Sequence, residues 1–163
     1  MKKDTKFLTR TALLLGITLM VQYMKMPQLL TGSLVNAMLI IAGGTVGTLS
    51  GITIGLLTPV IAFLVGILKF PPMVPFIMAG NALYVYLYST QRNAILRIAL
   101  PSLAKYAWLS VSVLYILKWF GIKVPPPVVQ TFTLPQLVTA LIGAAIGIAV
   151  TSFLWRSFSN KKM

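Results

Sequence analysis

The side chains that could do chemistry in this sequence are amides, hydroxyls, aromatic rings and lysines inside or beside long apolar segments. Three amides, Asn36, Asn81 and Gln136, lie in three different apolar segments. The remaining candidates lie in these three apolar segments, in other apolar segments of the chain, or next to one: Lys25, Gln28, Tyr84, Tyr115, Thr139 and Lys105. Such groups bind a small molecule through hydrogen bonds and stacking, and their gathering predicts a substrate-binding pocket. Taken singly, each amide is more often a partner in a hydrogen bond between helices than a ligand contact.

Several classes of chemistry are excluded by residue types that are missing or scarce. The chain has one acidic residue, Asp4, and no His or Cys. General acid–base catalysis lacks its usual groups, and a nucleophilic Ser would have only a lysine as its base. Zinc sites use Cys, His and carboxylates. We therefore expect no enzyme activity, no metal site and no cofactor. A pocket without acids suits a neutral or an anionic ligand and does not suit a cation.

The composition indicates a protein that lies almost entirely in a bilayer. The 163 residues are 58% hydrophobic and only 9% charged, whereas soluble domains carry roughly 25% charged residues. Six continuous apolar runs have a length suited to crossing a membrane, at residues 7–24, 33–49, 51–68, 74–90, 102–120 and 134–155. The sequence predicts an all-α membrane protein, a compact bundle of six transmembrane helices forming a single domain, 1–163.

The basic residues predict the orientation of this bundle. With the N-terminus inside, nine of them lie in cytoplasmic segments: Lys2, Lys3, Lys6, Arg10, Arg92, Arg97, Arg156, Lys161 and Lys162. Four lie in outer segments: Lys25, Lys69, Lys118 and Lys123. This bias favours both termini in the cytoplasm and places the three amides, Asn36, Asn81 and Gln136, in the outer half. Although the net charge is +13, the basic residues separate apolar runs, so no nucleic-acid partner is expected.

Lys105 lies inside the predicted fifth span, where the sequence offers no acid to pair with it. If this helix starts near Pro101, which suits a first turn, Lys105 lies about one turn from the inner boundary. Its long stem would then reach the headgroups, and the lysine would be an interfacial anchor. This is the interpretation we favour. A helix that starts earlier, at Ala94, favours a buried functional lysine instead.

Small residues at a spacing of four occur in two settings. Glycines with this spacing form strips along the second, third and sixth spans: Gly43, Gly47, Gly51, Gly55, Gly143 and Gly147. Such strips let helices approach closely, so we interpret them as packing surfaces of the bundle. No Walker A motif is present. In the first span, Ala12 and Gly16 would permit docking of another membrane subunit as readily as internal packing.

The chain resembles the substrate-binding S components of energy-coupling factor (ECF) transporters over nearly its whole length. Besides the small size and the layout of six spans, four stretches carry the resemblance: "TALLLGIT", "LLTGSLVNAMLIIAGGTVGTLSGITIGLLTPVIAFLVGIL", "PFIMAGN" and "PQLVTALIGAAIG". The resemblance implies a protein that captures a vitamin or a similar micronutrient from outside the cell. It also implies docking through the first helix onto a transmembrane coupling subunit that works with two ATPase subunits. The family's A-x-x-x-A docking pair falls on Ala12 and Gly16.

The resemblance places the protein in the bacterial plasma membrane as a multi-pass subunit of an ATP-driven importer. Its substrate would bind in an outward-facing pocket. An alternative is a non-transporting membrane scaffold of the MreD-like cell-shape type, which predicts no ligand. A stand-alone channel or carrier is disfavoured, because the membrane spans contain no acid for a coupling-ion site.

Overall fold

The described part of the chain forms six long α-helices, one short α-helix and a 3₁₀ helix at Pro71–Met73, and it contains no β-strand. The structure, a computed structural model, describes residues 2–24 and 26–159. The helices are α1 (Lys2–Tyr23), α2 (Gln28–Thr45), α3 (Thr48–Leu64), α4 (Val74–Thr90), α5 (Ala94–Trp119), α6 (Pro126–Thr131) and α7 (Leu134–Ser159). Within α5, the turn Ser112–Ile116 is π-helical. The predicted all-α class is confirmed for these residues.

Three segments of the described chain are long and apolar enough to cross a membrane: Gln28–Thr45, Ala94–Trp119 and Pro126–Ser157. Thr48–Leu64 is apolar but shorter, with 17 residues. The six-span count therefore stays a prediction.

The fifth helix starts earlier than Pro101, the start that we favoured from the sequence. It begins at Ala94, because Asn93 caps it: Asn93 Oδ1 accepts hydrogen bonds from the backbone N–H groups of Ile95 at 2.9 Å and Leu96 at 3.4 Å. An Asn at this position satisfies backbone donors that have no partner within the helix. Pro101 consequently lies inside the helix.

Helix α2 lies in the middle of the bundle, between α3 and α7, and glycines permit this close approach. A Cβ atom on Gly143 would overlap Cβ of Asn36, and one on Gly147 would lie 2.6 Å from Cβ of Ile40. On the other side of α2, a Cβ on Gly51 would lie 2.9 Å from the backbone oxygen of Leu39. Side chains larger than hydrogen do not fit at these distances.

The turn from α2 to α3 depends on a fourth glycine. Gly47 lies between the two helices with a φ of +133°, a backbone conformation that side chains disfavour. The glycines along the second and third spans therefore have two uses, contact between helices and reversal of the chain.

Helix α1 packs against α2 and α3 on one face only. Thr11 and Ser50 share a hydrogen bond of 2.8 Å between their hydroxyl oxygens, and Thr11 and Thr18 are buried. Ala12 and Gly16 are exposed, and a Cβ on Gly16 would have no atom within 4 Å. Several large apolar side chains of α1 are also exposed: Leu8, Leu13, Ile17, Met20 and Tyr23.

Candidate functional site

Three buried polar side chains from three helices meet inside the bundle. Nζ of Lys105 on α5 donates hydrogen bonds to Oδ1 of Asn36 on α2 and to Oδ1 of Asn81 on α4, each at 2.6 Å. The exposed fractions of these side chains are only 2–3%. We call this set the polar triad.

The interpretation of Lys105 as an interfacial anchor is therefore wrong. The early start of α5 moves Lys105 away from the helix end, and its amine contacts Asn36 and Asn81 rather than solvent. The face of the Tyr84 ring lies on another side of Nζ, with its centroid 5.1 Å away. Aromatic faces attract cations, so the ring adds to the two amide contacts.

Asn81 is held in place by a backbone group that a proline leaves free. Pro59 lies inside α3 and has no N–H to donate to the carbonyl of Gly55, four residues earlier. Nδ2 of Asn81 donates to this Gly55 oxygen at 2.9 Å. Gly55 also allows Asn81 to pack closely against α3, since a Cβ atom on Gly55 would lie 2.9 Å from Cβ of Asn81. The amide is thus fixed with its oxygen directed at Lys105.

Asn36 is supported from α7. Its Nδ2 donates to Oγ1 of Thr139 at 3.5 Å, and that hydroxyl donates to the backbone oxygen of Gln136 at 3.1 Å. Tyr84 donates its hydroxyl to the backbone oxygen of Ala140 at 2.7 Å. Tyr84 and Thr139 are both fully buried and lie behind the polar triad.

The polar triad lines the inner part of a cavity of about 560 Å³. The cavity lies where α1 ends and where α2, α4 and α7 begin, and the segments after α3 and α5 border it. Its innermost side chains also include Thr58, which is buried. Apolar side chains form its walls: Val35, Ile77, Phe70, Val128 and Phe132. Its rim consists of exposed side chains: Gln28, Lys69, Pro125 and Pro127.

The predicted site residues fall into four groups. Five line the cavity: Asn36, Asn81, Lys105, Gln28 and Gln136. Tyr84 and Thr139 support the polar triad without lining the cavity. Tyr115 is 68% exposed and lies outside the lining. Lys25 lies outside the described residues. The roles of all nine in binding stay predictions.

Other lining residues were not in the predicted set. Lys69 and Phe70 come from the proline-containing loop before α4, and Phe132 comes from the segment that joins α6 to α7. A signal for them existed, because "KFPPMVP" and the segment around Pro125 interrupt the apolar runs on the same predicted side. Gln22 also lines the cavity, and its Oε1 is buried without a hydrogen-bond partner among the described residues.

The cavity offers an amphipathic environment whose formal charge is positive. Lys105 lies at the inner end and Lys69 at the rim, and the only acidic residue of the sequence, Asp4, is at the start of α1. Amide and hydroxyl groups provide hydrogen bonds, and aromatic and aliphatic walls provide apolar contact. This arrangement can hold a small molecule by its polar end.

A comparison with protein families identifies the family of the chain. The family model of the ECF transporter substrate-specific component matches residues 6–155. The chain belongs to this family. No curated protein and no solved structure gives a match.

Membership in this family gives the general role of the protein. A substrate-specific component of an ECF transporter is a membrane protein that binds substrate for transport, so the chain is related to substrate binding for transport rather than to catalysis. The resemblance noted in the four sequence stretches is thereby confirmed. The apolar helices of the described chain agree with a membrane location.

Proposed function

We propose that this substrate-specific component is the high-affinity capture subunit of an ATP-driven importer for a vitamin-like micronutrient. The observation that carries the proposal is the polar triad at the inner end of the cavity, where Nζ of Lys105 lies 2.6 Å from Oδ1 of Asn36 and 2.6 Å from Oδ1 of Asn81. The ligand is a small molecule, neutral or anionic. A cavity of about 560 Å³ with apolar walls falls within the range of small-molecule sites.

We further infer that the chain crosses the membrane six times, with both termini in the cytoplasm. The cavity then opens to the outside, because it lies at the end of the bundle where α1 ends and α2 begins. The distribution of Lys and Arg supports this orientation. Such a protein is a multi-pass component of the bacterial plasma membrane.

The partner proteins are a transmembrane coupling subunit and two ATPase subunits. Ala12 and Gly16 of α1 form the docking strip for the coupling subunit in this proposal. Two observations support it: both residues are exposed, and the neighbouring side chains Leu13, Ile17 and Met20 are apolar and exposed as well. A strip of small residues bordered by apolar side chains suits close contact with another helix in a bilayer.

Replacing Asn81 by Leu tests the site directly. Asn81→Leu should weaken ligand binding at least tenfold, about 1.4 kcal/mol, because it removes an oxygen from the polar triad. The purified protein is first screened for small molecules that raise its melting temperature, and the affinity of the ligand is then measured by calorimetry. Ser89→Leu is the matched control, since it places leucine at an exposed position of the same helix, away from the cavity.

Two outcomes would contradict this proposal. Unchanged affinity in a folded Asn81→Leu protein would remove Asn81 from the site. If no small molecule binds the wild-type protein, the capture function itself fails, and the scaffold alternative, which needs no ligand, gains support.

A further inference from the structure

The cavity contains a buried basic group that has no acidic partner among the described residues. Lys105 is 3% exposed, and the hydrogen bonds of Nζ go to two amide oxygens, which carry no formal charge. The one acidic residue of the sequence, Asp4, lies in the first turn of α1. Burying a cation is costly unless an opposite charge pairs with it. A partner from outside the chain would remove this cost.

The amine has capacity for such a partner on the cavity side. An ammonium group has three donors, and the amide oxygens of Asn36 and Asn81 accept two of them. The Tyr84 ring covers another side of Nζ, and Tyr84 does not line the cavity, whereas Lys105 does. An oxyanion in the cavity would accept the third bond, and charge-assisted bonds of this kind are among the strong ones.

The number of charges indicates which oxyanion fits. One amine lies at the inner end, and the nearby polar groups are the neutral side chains of Asn36, Asn81 and Thr58. A phosphate carries close to two negative charges at neutral pH and is typically held by several donors or guanidinium groups. A single ammonium matches the single charge of a carboxylate. The apolar walls around Phe70 and Phe132 match a ligand whose remaining body is apolar.

We propose that the substrate is an amphipathic small-molecule carboxylate. Its carboxylate binds Nζ of Lys105 between Asn36 and Asn81, and its body lies against Phe70 and Phe132. This assignment rests on the proposed capture function and narrows the ligand from neutral or anionic to anionic. Lys69 at the exposed rim adds a positive field that favours the approach of an anion.

The test compares acids with their neutral analogues on the purified protein. Wild-type protein is equilibrated with a bacterial metabolite extract supplemented with matched pairs, nicotinate with nicotinamide and pantothenate with pantothenol. Retained solutes are identified by mass spectrometry, and their affinities are measured by calorimetry. Each measurement is repeated with Lys105→Met and with Lys118→Met. The second variant removes a charge from the same helix at an exposed position outside the cavity, so it serves as the control.

The inference expects an anionic solute whose neutral analogue binds at least tenfold more weakly. Lys105→Met should lose at least tenfold in affinity for this solute, and Lys118→Met should bind it as the wild type does. A retained solute that is neutral or cationic, or an anion that Lys105→Met binds equally well, would overturn the carboxylate assignment and leave the capture function intact. No retained solute at all would overturn the capture function.

A second variant keeps the test decisive if Lys105→Met fails to fold. Asn36→Asp keeps an acceptor for Nζ and supplies a carboxylate within the chain. Since Lys105 is then neutralised internally, binding of the anion should fall at least tenfold, while the melting temperature of the ligand-free protein should equal or exceed that of the wild type. Undiminished anion binding by Asn36→Asp would contradict the assignment.

Discussion

Two sets of small residues share the same spacing in this protein but have different surroundings. Around α2, added Cβ atoms on Gly51, Gly143 and Gly147 would meet neighbouring helices at distances too short for a side chain. On α1, a Cβ on Gly16 would meet nothing within 4 Å, and Ala12 is exposed. The same pattern thus accompanies a closed contact in one region and an open surface in the other.

The difference shows that a spacing of four between small residues indicates that another helix can pack closely. The spacing does not indicate whether that helix belongs to the same chain. The glycines around α2 are in contact within the chain, where they let α3 and α7 pack closely against α2. The strip on α1 has no internal partner in the described structure. In the proposed function, this exposed strip contacts the coupling subunit.

The largest effect on folding is expected when a side chain is added to a glycine that packs against a neighbouring helix within the chain. Gly143→Leu should prevent folding, because even the first carbon of the side chain would overlap Cβ of Asn36 and lie 2.7 Å from the backbone oxygen of Ser33. Overpacking of this kind costs about 3 kcal/mol or more. The yield of monodisperse protein in detergent measures the effect. Gly16→Leu is the control and should give a normal yield. Equal yields for the two variants would remove the distinction between the strips.

A loss of transport without a loss of stability is expected when a large side chain is added to the exposed strip of small residues on α1. Ala12→Trp should abolish uptake of the ligand by cells that express the whole transporter, because the indole would keep the coupling subunit away from α1. Ligand affinity and melting temperature of the isolated protein should not change, since Ala12 is exposed.

Leu103→Trp provides the matched control, because Leu103 is also exposed but lies on α5. That variant should transport normally. Normal uptake by Ala12→Trp would exclude α1 as the docking helix.

A smaller effect is expected where α1 contacts the rest of the chain. Thr11→Val removes the 2.8 Å hydrogen bond to Ser50 and should lower the free energy of unfolding by about 1 kcal/mol. For a chain of this size, that corresponds to a fall of about 2–4 °C in melting temperature. Ligand affinity should not change. Thr53→Val is the comparison, since the Thr53 hydroxyl bonds only within its own helix. A larger fall for Thr53→Val would show that the Thr11 contact does not hold α1.

Much of the fold was predictable from composition and from the length of the apolar runs. These features indicated helices throughout and a membrane location, since they depend on burial and on satisfied backbone groups. The helix starts were less predictable. Pro101 suggested a first turn, but Asn93 caps the helix earlier, and both residues are acceptable helix starts by local rules.

The cavity was predictable only in part, for a related reason. The amides Asn36, Asn81 and Gln136 attract attention because polar groups are rare in apolar helices. The depth of Lys105 depended on the helix start, so its contact with two of these amides could not be foreseen. Tyr115 was predicted from its position in the fifth span. Its ring is 68% exposed and lies outside the cavity lining, which depends on the rotation of α5 about its axis.

Pro59 connects the backbone of α3 to the orientation of a polar side chain in the cavity. Because the proline leaves the Gly55 carbonyl without its usual donor, the Asn81 amide group turns its nitrogen to that carbonyl and its oxygen to Lys105. An alanine in place of Pro59 would return a donor to the helix and release the amide to rotate. The hydrogen-bonding groups that face the cavity would then change through a substitution in the backbone of α3, while the side chains that contact Lys105 would stay the same.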